Sequence, residues 1–567
     1  MHVETGTSRV IEKRDPALVM RLSRLGSFHQ SRLSFMRILT RRMKREEWTF
    51  SRPIFQFDEK GVGHAVYCAH TPNRTYSLIA FGHDLPPEER SDRVIATRWD
   101  STFTLYDGVP DADDIARLRE NIPKQEAGRV SEKELAISRA NRSVRLWDHV
   151  VSRLTEGEQP DRQEVEKVGY LMRTTAVYGS GKFGAADREM IADRPECKAP
   201  FQIEMLSVFL TRTYVRDLVQ HVANLKGGAK AVTLDPSIAR SLGIGNSTGL
   251  GMAPFLIYHP TLFNNWVAAR EQAIAIVRNV PAATSSEIQI FNDLLERSRV
   301  SADIWHSTHP IQVEKLKRLR HDLDELAKHV AQTDLQAAHP WDRLYRWAED
   351  TLGEDAQECL ASLLLEPYGA KIDHLADHMS NKTAESFRID GTMRISELIT
   401  ILENTYGWAL QIDWSKPDQC ARAWYVSAEK QEPRLGERFA ESIAPYEQPL
   451  APGRDAAALY NALKDQDKAA PLAPFLLTHP QHRHSVRRAQ VVARAPYAEI
   501  RDNTIGSDLL PIDMLRCKLS FFGATHFDPR SDRWVRICMF GNAPYPEELS
   551  SIQGDAWSYP PAKRGGT

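Results

Sequence analysis

The apolar positions of this chain follow successive rhythms. Between Pro16 and Arg45, Leu18, Leu22, Leu25, Met36, Leu39 and Met43 recur at helical spacing among many arginines. That pattern predicts an amphipathic helical arm. From Trp48 to Asp107 the runs become short and β-prone, at 48–57, 64–70, 76–81 and 93–106, with turn residues at 58–61, 71–73 and 85–87. This spacing predicts a small antiparallel meander.

Beyond Pro110 the helical period takes over and holds to about residue 390, with helices expected near 132–156, 161–176, 200–224, 260–281, 302–333, 340–352 and 355–378. In the clearest of them, Val313, Leu316, Leu319, Leu323, Leu326 and Val330 form one apolar seam with charged flanks. Such a seam packs helices within a subunit or between subunits, and a homo-oligomer is the expected assembly. After about residue 391 the pattern is mixed, with a helix near 395–404, a strand-like run at 534–540 and prolines clustered at 444–452 and 543–560. The expected fold is therefore α+β and predominantly α-helical. Its parts are a basic helical arm (1–45), a small N-terminal antiparallel sheet (46–110), a large helical middle with glycine-rich loops (111–390) and a mixed α/β C-terminal domain (391–567).

Composition narrows the classes without choosing one. The 567 residues are 42% apolar and 26% charged with a formal net charge of -2, which gives no overall bias toward nucleic acid or membrane. Six scattered cysteines without a C-x-x-C pair fit buried thiols in a reducing compartment. No apolar run approaches the roughly 18 residues of a membrane span, and Glu4, Glu12 and Asp15 occupy the start of the chain. A cytoplasmic protein without a membrane partner is expected. The acid-free stretch 16–45 offers two readings: an arm for nucleic acid or another anionic surface, or a docked helix whose arginines meet acids elsewhere. A neutral whole favours the second.

Candidate chemistry centres on two glycine-rich segments. Gly243-Ile-Gly245-Asn-Ser-Thr-Gly249-Leu-Gly251 leads through His259-Pro260 into a helical pattern, and Tyr178-Gly-Ser-Gly-Lys182-Phe-Gly184 follows Arg173 and Thr174. The first lacks the G-x-G-x-x-G spacing of a dinucleotide site. The second has Ala176 where a P-loop needs glycine and Phe183 where it needs Ser or Thr. Both familiar nucleotide motifs are therefore set aside, and no cofactor is assigned. What remains is an anion pocket in which Arg173, Thr174, Ser180, Gly245, Asn246, Ser247 and Thr248 bind a carboxylate or phosphate. Tyr178, Lys182, His259 and His526 are the candidates for proton transfer.

A further group, including Asp513, Arg516, Lys518, His526, Asp528 and Arg533 beside Leu519, Phe521 and Phe522, reads first as an ion-pair network around a core. The pair His374 and His378 and the cluster His479, His482 and His484 lack a complete ligand set, so no metal site is assigned. The functional expectation is a cytosolic metabolic enzyme acting on a small anionic substrate by acid/base chemistry of the lyase, hydratase or isomerase type. The alternative is a non-enzymatic oligomeric binding or scaffold protein that contacts nucleic acid through the basic arm.

Overall fold

The computed structural model describes residues 10–86, 98–121, 131–175, 191–248, 260–379, 387–416, 424–427, 433–435, 447–450, 452–501, 512–513, 516–529 and 535–561. The fold is mixed α and β with helix predominating, and its sheet is much larger than the expected meander. Strands β1 (Thr49–Phe57), β2 (Gly63–His70), β3 (Thr75–Gly82) and β4 (Ser101–Asp107) continue into β5 (Glu134–Arg142), β6 (Tyr170–Thr174) and β7 (Gly243–Thr248). A short sheet of β8 (Trp424–Ser427), β9 (Pro433–Leu435) and β10 (Glu447–Leu450) stands apart, and β11 (His526–Pro529) and β12 (Val535–Met539) return to the large one. Its order is β1-β2-β3-β4-β5-β6-β7-β12-β11.

Two helices expected from the periodicity are thus corrected in part. Residues 132–156 divide into β5 and a helix at Trp147–Thr155, and 161–176 divide into a helix at Arg162–Val168 and β6. Every position of β6 is buried, as is nearly every position of β5. A strand covered on both faces loses the alternation that distinguishes it from a helix. Likewise 302–333 is two helices, because Trp305 to His309 leave the helical path between Ile304 and Pro310.

The helices that organise the body are α1 (Pro16–Val19), α2 (Leu22–Leu25), α3 (Phe35–Arg45), α4 (Ala112–Asn121), α5 (Trp147–Thr155), α6 (Arg162–Val168), α7 (Gln202–Gly227), α8 (Pro260–Arg278), α9 (Ser285–Ile304), α10 (Pro310–Gln332), α11 (Pro340–Thr351) and α12 (Glu354–Leu364). One face of the sheet lies on α7, where Tyr214 packs on Phe57, Tyr67 and Phe103 and its hydroxyl meets Ser101 Oγ at 3.1 Å. At the β2–β5 end the other face is covered by α4, which sets Ile115 and Leu118 against Val66, Ile79, Phe81 and Ile137.

The basic arm is inside the protein. Val19, Leu22, Leu25, Phe35, Met36 and Leu39 join the main core, and acids from distant segments meet the arginines. Arg14 binds Glu271 and Glu358, Arg24 binds Glu358, Arg32 binds Asp373, Arg37 binds Glu366 and Asp555, and Arg42 binds Asp377. Buried pairs of this kind recover their desolvation cost only with good geometry, and they fix one arrangement of the chain.

The seam of α10 is filled within the same chain. Leu316, Leu319, Leu323, Leu326 and Val330 are buried against neighbours that include α9 and α12, while Val313 is 44% exposed. Further along, α13 (Ile395–Leu410), α14 (Pro452–Lys464), α15 (Leu472–Thr478) and α16 (Arg483–Arg494) enclose a second core around Leu398, Leu402, Leu459, Leu463, Phe475 and Val486. No helix among the described residues is long and apolar enough to cross a membrane.

Candidate functional site

Only one pair of neighbouring strands in the large sheet, among the described residues, runs parallel. β6 lies beside β7 with Tyr170 opposite Gly243 and Arg173 opposite Gly245, whereas β5 and β12 flank the pair antiparallel. A parallel pair needs a crossover, and α7 lies on that connection. Its carboxyl ends are also where an α/β sheet opens a crevice for ligands.

The glycine-rich segment accordingly begins as a strand and not as a turn, which corrects the loop reading for Gly243 to Thr248. Its glycines serve close packing. A Cβ on Gly243 would lie 2.3 Å from the Met539 carbonyl oxygen, and one on Gly245 would lie 2.7 Å from the Tyr170 ring. The sequence Gly-Ile-Gly-Asn-Ser-Thr offers little β-propensity of its own, so the ladders on both sides impose the extended form.

The register gathers several predicted binding residues. Asn141, Arg173, Gly245, Cys538 and His526 occupy successive strands in one row across β5, β6, β7, β12 and β11. One step toward the carboxyl ends of β6 and β7, the Thr175 N–H donates to the Arg139 carbonyl at 2.9 Å, and Arg536 pairs with Ser247. Directly opposed residues share a face, and that face alternates along each strand. Arg139, Arg173 and Arg536 therefore stand on the same face around Gly245, whose missing side chain makes room for the Tyr170 ring. Arg173 and Arg536 are each 9% exposed, and the Arg139 guanidinium lies 5.1 Å from the Trp99 ring.

The opposite face carries a second polar group. Asn246 Nδ2 donates to the Thr174 carbonyl at 3.1 Å, and its Oδ1 accepts from Lys518 Nζ at 3.3 Å. Lys518 opens a π-helical turn, Lys518–Phe522, that ends at Gly523 with φ of 85°. It is 1% exposed, and loss of hydration draws its ammonium down to about 7. Wider helical turns of this kind recur at functional sites. A buried lysine that can be neutral near pH 7 is also suited to accept and return a proton.

Arg173, Thr174, Gly245 and Asn246 are thus brought together, and Ser247 and Thr248 lie at the end of the same strand. His526 is in the Arg173 row but three strands away, roughly 14 Å at ordinary strand spacing. There the half-buried ring packs beside Gly169. Tyr178, Ser180, Lys182 and His259 lie outside the described residues. Because β6 ends at Thr174 and β7 at Thr248, the chain enters both glycine-rich segments from neighbouring strand ends.

Sequence reasoning did not select Arg139 or Arg536 and gave Lys518 no role. The signal for the lysine was a cation beside Leu519, Phe521 and Phe522; the arginines became visible only through strand register. Among the described residues no group of three or more His, Cys, Asp or Glu could hold a metal ion. Asp373 and Asp377, which alternate with His374 and His378, instead receive Arg32 and Arg42. Cys68, Cys197, Cys359, Cys517 and Cys538 are buried and unbridged. Burial pushes the thiols of Cys197, Cys359, Cys517 and Cys538 up to about 12, far from a reactive thiolate. Comparison with protein-family models, curated proteins and solved structures finds no match for this chain.

Proposed function

We propose that the protein is an enzyme that binds a small carboxylate or phosphate at the carboxyl ends of β6 and β7 and acts on it by acid/base chemistry. The reading rests on one observation above all: the parallel pair sets Arg173 opposite Gly245 while Asn246 joins Thr174 to Lys518. In this scheme Arg139, Arg173 and Arg536 attract and orient the anion through charge-assisted hydrogen bonds. Lys518, held by Asn246 on the other face of the sheet, is the proton carrier in this scheme, and a substrate meets both faces only where the strands end, beyond Thr174 and Thr248. Lyase, hydratase or isomerase chemistry needs these two parts, an anchor for the anion and a group whose proton affinity lies near the working pH.

A panel of carboxylates and phosphates screened by thermal shift tests the reading, because a ligand selective for the native state raises the melting temperature. A stabilising ligand whose effect disappears in an Arg173→Met variant that still melts cooperatively supports it. Turnover of that ligand by the wild type and not by Lys518→Met supports the enzymatic part. The scaffold alternative draws less from the arm, whose central arginines are engaged by acids within the protein.

A further inference from the structure

The second helical cluster carries a surface unlike the rest of the chain. From Lys468 to Ala498 no acid occurs, while Arg483, Arg487, Arg488 and Arg494 stand among and after His479, His482 and His484. The N-terminal arm has a similar acid-free composition, but there Arg24, Arg32, Arg37 and Arg42 meet acids of the same chain. On α16 the inward positions are Ser485, Val486, Ala489, Gln490 and Val492, and the outward row of Arg483, Arg487 and Arg494 is exposed. Residues four and eleven apart lie on one side of a helix, so the row runs about 16 Å along the axis. The positive end of the helix dipole lies at Arg483, and basic residues there oppose helix stability. That argument covers Arg483 alone: Arg494 closes the helix at the negative end of the dipole, and Arg487 Nε donates to the Phe387 carbonyl at 3.3 Å.

Two features flank this row. At its start, the turn between α15 and α16 stacks His479 on Phe475 at 4.6 Å and 15°, with His482 6.0 Å from the same ring and Leu477 75% exposed alongside. At its other end, Arg494 lines a cleft of about 1350 Å³ between the N-terminal segment, α8, α11 and residues 494–497. Of the five cations in its described lining, Arg14 is buried on Glu271 and Glu358, so with Glu12, Asp15 and Glu349 beside it the cleft does not continue the positive charge of the row. Asp342 holds Arg278 and Arg346 in place there.

We infer that the exposed row of α16 forms a binding track for single-stranded nucleic acid, with phosphates along Arg483, Arg487 and Arg494 and bases at the His479–His482 turn. A row of cations joined to flat rings is how proteins hold single strands without reading sequence. A duplex, whose major groove alone is about 12 Å wide, fits the track poorly.

Fluorescence anisotropy of the full chain with a labelled single strand of about 12 nucleotides tests this inference. Binding at about 50 mM salt should weaken roughly tenfold by about 200 mM. The double variant Arg483→Glu/Arg487→Glu should bind at least about tenfold more weakly, with a shallower salt dependence and an unchanged melting temperature. Arg494→Glu should weaken binding to a lesser degree. Absence of binding at low salt, binding untouched by the double variant, or equal or tighter binding to duplex or heparin would overturn it. None of these residues belongs to the β6–β7 site, so failure here leaves the anion-site proposal standing.

Discussion

Lys518 Nζ donates to Asn246 Oδ1 at 3.3 Å, tying a buried amine to the strand that begins the main glycine-rich segment. This contact sets a pH dependence. The folded state releases the Lys518 proton near pH 7, whereas an unfolded chain holds it to about pH 10.4. Between these values the unfolded state binds more protons, so this residue makes stability rise with pH across that window and level off below it. Denaturant unfolding of the wild type and Lys518→Met from pH 7 to 10 should differ by a component of this sign, absent in the variant. Parallel curves would show that Lys518 does not titrate in this way.

Gly245→Ala should destabilise the protein by about 1–3 kcal/mol, because the new methyl group would meet the Tyr170 ring. The double variant with Tyr170→Ala should lose less than the sum of the two single changes. Chemical denaturation of the four proteins gives the coupling directly. Additive losses would mean that Gly245 is required for another reason.

The Arg37 guanidinium is 1% exposed and is held by Glu366 at 2.6 Å and Asp555 at 2.8 Å. Arg37→Met leaves these acids short of their shared cation and should cost about 3–5 kcal/mol. Arg37→Lys should not restore the loss, since a point charge cannot reproduce two forked contacts. Urea unfolding midpoints distinguish these outcomes.

Acid should unfold the protein in two overlapping ranges. His29 is buried beside Ser27 and Arg270, and desolvation draws it down to about 3, so the folded state keeps it neutral while an unfolded histidine protonates near pH 6.5. Its contribution to stability is lost as pH falls from about 6.5 toward 3. Despite desolvation, arginines hold the Glu358 and Asp555 carboxyls well below the usual range. Their contribution is present above the unfolded carboxylate values and fades below about pH 4. His29→Gln should flatten the upper range, and Arg37→Met the lower one, in melting temperatures measured from pH 3 to 8.

Much of this architecture could be read in the sequence where one periodicity prevailed. Strands β1 to β3 fall where short runs end at turn residues, and the α10 seam follows the predicted positions from Leu316 to Val330. β5 and β6 were concealed because burial on both faces removes alternation, and β7 because its extended form comes from its neighbours. Arg173, Thr174 and Asn246 could be chosen from composition beside glycines. Their proximity could not, since it depends on a parallel pairing between residues about seventy positions apart in sequence. Arg139, Arg536 and Lys518 entered the site for the same reason.

Isothermal titration of wild type and Arg173→Met with the best stabilising carboxylate or phosphate tests the anion site most directly. Saturable binding to the wild type is expected, at least about tenfold weaker in Arg173→Met, because a charge-assisted contact worth about 1.5–3 kcal/mol is removed. The surface change Arg483→Glu should leave this affinity unchanged. Equal affinity for wild type and Arg173→Met would contradict the site at the carboxyl ends of β6 and β7.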